Sequence, residues 1–155
     1  MSKLKKTILT GILLCLLIGC GTDTGQGTSD NPNNVELTKI STQRKDTDQQ
    51  LANKAKDILK KKESVSGVNA VNTSKKLVIA VDVPQHERFK MAETRKKLRK
   101  EMKKKFSQVD VELSTDQKII LELEKLEEKL QKGSIKKKDL EKQVEDIIKL
   151  SKEQT

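Results

Sequence analysis

Between Thr47 and Lys62 apolar residues recur at helical spacing, with Leu51, Ala55, Ile58 and Leu59 on one face. Asp46 or Thr47 stands where a cap belongs, and the closing lysines suit the negative pole of a helix. The rhythm breaks at Gly67. Val68, Ala70 and Val71 then predict a short strand, and Asn72 to Lys75 a turn. "KLVIAVDV", Lys76 to Val83, places Leu77, Ile79, Val81 and Val83 on one side at period two, and Pro84 ends the run. Helical spacing returns from Gln85 to Phe106, with Leu98, Met102 and Phe106 as the buried stripe. Val109, Val111 and Leu113 alternate with Asp110 and Glu112 as a third strand. Helix, strand, strand, helix, strand predicts a small α+β sandwich, with helices on one face of a three-stranded sheet.

Two further helices follow. Ser114 to Gln117, "STDQ", fits a capping box with Ser114 at the cap. Ile119, Leu123, Leu126 and Leu130 form an apolar seam, and Gly133 is a stop signal. Leu140, Val144, Ile147 and Ser151 repeat the spacing, widened by Ile148. The pair reads as an antiparallel helical hairpin. Its seam could close on itself, on the sandwich or on a partner, and closure within the chain is the expectation.

The front of the chain follows another logic. Lys3, Lys5 and Lys6 precede an apolar run from Thr7 to Gly19, too short for the roughly 20 residues a membrane span needs. The run ends in "LIGC", Leu17 to Cys20, which resembles the processing box of bacterial lipoproteins. The Cys20 thiol would be the nucleophile that takes a diacylglyceryl group, and small Gly19 would let a protease reach the bond before it. Further acylation, such as a palmitate, would make the anchor stable, because one chain alone holds a protein only marginally. Cys15 would leave with the signal, so no disulfide or redox pair is expected. The resulting division is 1–19 lipoprotein signal peptide, 20–46 lipidated N-terminus and disordered tether, 47–114 α+β domain, and 115–155 helical hairpin. The Gly-, Asn- and Thr-rich tether would reach about 30 Å.

Composition narrows the chemistry. The chain is 33% hydrophobic, 36% charged and 1% aromatic, without Trp or Tyr. A core of Leu, Ile, Val and Ala is implied, and a deep apolar pocket is not. The formal charge is +10, and the chain stays basic without its signal, which favours anionic partners. The basic residues concentrate in "RKKLRKEMKKK". Arg95, Lys96, Lys97, Arg99, Lys100, Lys103, Lys104 and Lys105 face one acid there, Glu101. Near an anionic membrane each is worth about 1 kcal/mol at best. Anionic lipid head groups are therefore candidate partners, beside the membrane that holds the acyl chains. No nucleic acid is expected, since export and the near absence of stacking aromatics both oppose it. His86 is the only histidine and reads as a surface residue. It cannot supply a metal site or a nucleophile–base pair alone. Glu127 and Glu128 read as part of a solvated helix face, and no phosphate-binding glycine loop occurs. No metal, no cofactor and no catalysis are expected.

Two stretches carry a family resemblance. They are "GVNAVNTSKKLVIAVDV", Gly67 to Val83, and "VDVELSTDQKIILELEKL", Val109 to Leu126, behind the "LIGC" box. The chain resembles the sporulation lipoprotein family of endospore-forming bacteria, the YhcN/YlaJ type, over roughly residues 48–130 and the anchor. The resemblance implies a lipid-anchored protein made during sporulation, on the extracytoplasmic face of the membrane and at the inner spore membrane. It also implies an association with germination or outgrowth, and brings no catalytic residue. The family's usual "STDPD" appears here as "STDQK". The alternative is a vegetative envelope lipoprotein that grips anionic lipid or wall polymer through its basic helix.

Overall fold

The computed structural model describes residues 39–40 and 47–153. The expected signal, Cys20 and most of the expected tether lie outside them. The described elements run α1 (Gln50–Leu59), β1 (Gly67–Asn72), β2 (Lys76–Asp82), a 3-10 helix (Gln85–Lys90), α2 (Met91–Lys105), β3 (Asp110–Ser114), α3 (Gln117–Gln131) and α4 (Lys137–Glu153). The order is the one the hydrophobic pattern predicts, and the class is α+β.

β2 is the central strand. It pairs antiparallel with β1, from Gly67 opposite Asp82 to Asn72 opposite Leu77. The Thr73 N–H closes the hairpin on the Lys76 carbonyl at 2.8 Å, and the Thr73 hydroxyl accepts from the Lys76 N–H at 3.1 Å. β2 runs parallel to β3, from Lys76 opposite Asp110 to Ala80 opposite Ser114. A parallel pair needs a crossover, and the 3-10 helix and α2 supply it.

Both faces of the sheet are covered. On one, Val68, Ala70, Leu77, Ile79, Val81, Val111 and Leu113 pack with Ala52, Ala55 and Leu59 of α1 and with Leu98, Met102 and Phe106. On the other, Val71, Val78 and Ala80 pack with Ile119, Leu123, Leu126 and Leu130 of α3 and with Leu140, Val144 and Ile147 of α4. The two helices of the expected sandwich, α1 and α2, do share one face, and the hairpin covers the other. The seam of the hairpin does close within the chain, and it closes on the sheet. The signal was Leu77 to Val81, apolar at every position, as a strand buried on both sides must be. Ile40 joins the second cluster from inside the expected tether. Asn53 holds its main chain, accepting from the Ile40 N–H at 3.1 Å and donating to its carbonyl at 2.9 Å.

The sheet edges find partners in side chains. On β1, the Asn72 N–H donates to Gln49 Oε1 at 2.9 Å, and Gln49 Nε2 returns a bond to the Asn72 carbonyl at 2.8 Å. The Ala70 N–H donates to Glu127 Oε1 at 2.7 Å. On β3, Arg99 Nη2 donates to the Leu113 carbonyl at 2.8 Å and also pairs with Glu112. With its side chain committed to β1, Gln49 makes no side-chain cap for α1, and the helix begins three residues later than expected.

The cap of α3 is also displaced. Asp116, not Ser114, accepts from the Lys118 and Ile119 N–H groups, at 2.8 and 3.3 Å. Ser114 Oγ instead accepts from the Asp116 N–H at 3.1 Å, because Ser114 is still in β3. At the other end Gly133 adopts φ +60°. The Gly133 N–H bonds to the Leu130 carbonyl and the Ser134 N–H to the Lys129 carbonyl, both at 3.0 Å, which satisfies carbonyls a helix end leaves open. Asp116→Ala should cost about 1 kcal/mol, read as a lower urea midpoint at unchanged slope.

Candidate functional site

The basic helix is divided by its packing. Leu98, Met102 and Phe106 are buried, as the spacing predicts. Lys96, Lys97, Lys100, Lys103, Lys104 and Lys105 are exposed. Arg95 and Arg99 are half-buried at the margin of the apolar stripe, and Arg99 is turned onto β3. Glu101 pairs with Lys62, at 2.8 Å, rather than with a lysine of its own helix. The six lysines thus make the exposed side of α2 strongly basic, with Glu93 the exposed acid on that helix, and Arg99 braces β3 beside them.

The first turns before α2 differ from the expected continuous α-helix. Residues Gln85–Lys90 are 3-10 and bury no side chain. Phe89 is 78% exposed, the largest exposure of any big apolar side chain among the described residues. Lys90 Nζ lies 5.0 Å from the centre of its ring, within cation–π range. His86 beside it is exposed, as expected. A surface groove of about 400 Å³ runs alongside, lined by Lys62, Ser64, Glu87, Lys90, Glu93, Thr94, Lys97 and Leu98. Its charges are mixed, and it is open rather than walled.

The sequence gives no hint of a second feature until the helices are drawn as wheels. Lys56 of α1 and Glu127 of α3 are both buried, 0% and 4% exposed, with Lys56 Nζ 2.6 Å from Glu127 Oε1. This corrects the placing of Glu127 on a solvated face. Glu127 also accepts from the Ala70 N–H and, at 3.2 Å, from Asn69 Nδ2. Burial pushes its carboxyl above the usual 4.5, against the Lys56 charge and these donors. Burial pulls the Lys56 ammonium below 10.5, against the Glu127 charge. The spacing carries the signal: Lys56 falls four after Ala52 and three before Leu59, and Glu127 four after Leu123 and three before Leu130. Each ionisable group therefore sits inside an apolar arc. The pair ties helices from opposite faces of the sheet across the β1 edge. Among the described residues no group of three or more His, Cys, Asp or Glu could hold a metal ion.

These elements coincide with a known family. The family model for the sporulation lipoproteins of the YhcN/YlaJ type matches residues 21–150. The chain belongs to this family. The match takes in both covered faces of the sheet and the whole of α3. No curated protein and no solved structure matches the chain. A sporulation lipoprotein is held to a membrane by its lipid. No helix among the described residues is long and apolar enough to cross a membrane.

Proposed function

We propose that this sporulation lipoprotein is a non-catalytic interaction protein, anchored through Cys20 on the extracytoplasmic face of the membrane. Its place is the inner spore membrane, and its role lies in germination or outgrowth. Its lysine face on α2 rests on anionic head groups of the membrane that holds its acyl chains. The observation that carries this last part is the six exposed lysines, which form no ion pair with another described residue. Without an ion-pair partner among the described residues, their charge is available to an external anion. A lipid anchor would keep that face near acidic head groups, where each lysine adds up to about 1 kcal/mol, reduced by salt.

Cys20→Ala should abolish lipidation. The variant is expected in the soluble fraction or with its signal uncleaved. The wild-type protein should show an intact mass equal to residues 20–155 plus the lipid. A wild-type mass without lipid would end the anchoring reading. Equal expression in growing and sporulating cells would instead count against the spore role and favour the vegetative envelope. Mature chain carrying Cys20→Ser should still pellet with acidic vesicles at low salt, and be released as salt rises.

A further inference from the structure

We propose that Phe89 is a membrane-inserting side chain, which enters the apolar zone of an anionic bilayer while the α2 lysines stay at the head groups. The inference rests on the reading of the lysine face as lipid-facing and adds depth and orientation to it. Phe89 is 78% exposed in a chain whose only other aromatic, Phe106, is 1% exposed. It projects from a 3-10 helix that buries none of its own side chains. No packing need of the fold accounts for an aromatic there, and burying one in hydrocarbon is favourable.

Its surroundings fit a bilayer interface. Arg88 and Lys90 flank it in sequence, and Lys90 lies over its ring. Lys90 also lines the groove that reaches Lys97, so the groove leads from beside Phe89 to the first turns of the lysine face. Glu87 and Glu93 share that groove and oppose an anion; Lys90 and Lys97 balance them, Lys62 being paired with Glu101, so the attraction comes from the other exposed lysines of α2. A long ammonium side chain can swing from the ring to a phosphate as the ring enters, keeping its charge in the polar layer. Basic residues beside an exposed aromatic are the composition of surfaces that lie in the interfacial plane.

The test uses the mature chain carrying Cys20→Ser and Phe89→Trp. The protein has no natural Trp or Tyr, so one indole reports on this position alone. With vesicles containing phosphatidylglycerol its emission should shift to the blue, and lipids brominated on the acyl chains should quench it. Phe89→Ala should weaken partitioning about tenfold, with the salt dependence of binding kept. Salt-sensitive binding with no shift and no quenching would overturn the insertion while leaving the lysine contact standing. Absence of vesicle binding would overturn both. Binding confined to a soluble polyanion, with unchanged emission on vesicles, would place the surface on a wall polymer and also overturn the proposal.

Discussion

Glu127→Ala is expected to destabilise the fold by about 3–5 kcal/mol, enough to unfold much of a small domain near physiological temperature. The substitution removes the carboxylate from the buried Lys56 ammonium, and it takes away the acceptor of the Ala70 N–H and of Asn69. The cost is that of a buried ammonium losing its carboxylate and a buried donor losing its acceptor, not the net worth of an ion pair. A double replacement, Lys56→Met with Glu127→Leu, should therefore recover most of the loss, short of the orphaned Ala70 N–H. Urea unfolding of the four members of this cycle measures the coupling. A single-variant loss under 1 kcal/mol would show that the pair is not buried as described. The pH dependence has a definite sign. A carboxyl raised above 4.5 by burial holds its proton more tightly in the folded chain. Its contribution is full below pH 4.5 and is lost as pH rises through the raised value. Wild-type stability should therefore fall relative to Glu127→Gln across that interval.

Truncation after Ser114 should abolish cooperative folding altogether. The division drawn from sequence at residue 114 suggests a self-sufficient sandwich followed by an appendage. In the structure α3 and α4 supply one whole face of the packing. Without them Val71, Val78 and Ala80 are uncovered in the central and edge strands, and Lys56 again loses Glu127. Residues 20–114 carrying Cys20→Ser should show little chemical-shift dispersion in one-dimensional NMR spectra, and a broad urea transition. A sharp transition in that fragment would make the hairpin a separate domain after all.

Local rules were legible in the sequence wherever one interaction dominates. The seam from Ile119 to Leu130, the stripe from Leu98 to Phe106 and the turn at Gly133 follow from periodicity and backbone sterics, and each is where it was expected. Less legible were the positions where tertiary structure sets the local choice. α1 buries Ala52 and Lys56 with Leu59, while Leu51 and Ile58 are only half-buried, so its inner face is rotated from the one the larger side chains suggest. Small Ala52 and Ala55 meet the sheet, and the paired lysine takes a place that hydropathy gives to water. Asp116 wins the cap because β3 runs through Ser114. The lysine face was readable as charge, but its division was not. Arg95 and Arg99 differ from the six lysines through their nearness to the apolar stripe, and Arg99 through a β3 carbonyl that lies far from it in sequence.

Lipid anchoring gathers copies of a protein into a single plane, where they collide far more often than in free solution. In such a layer a bare strand edge invites its neighbour to add on, strand to strand, and the growth need not stop. The bonds from Gln49 and Glu127 to β1, and from Arg99 to β3, occupy main-chain groups that such growth would use. Strand addition at β1 or β3 would first have to displace these three side chains.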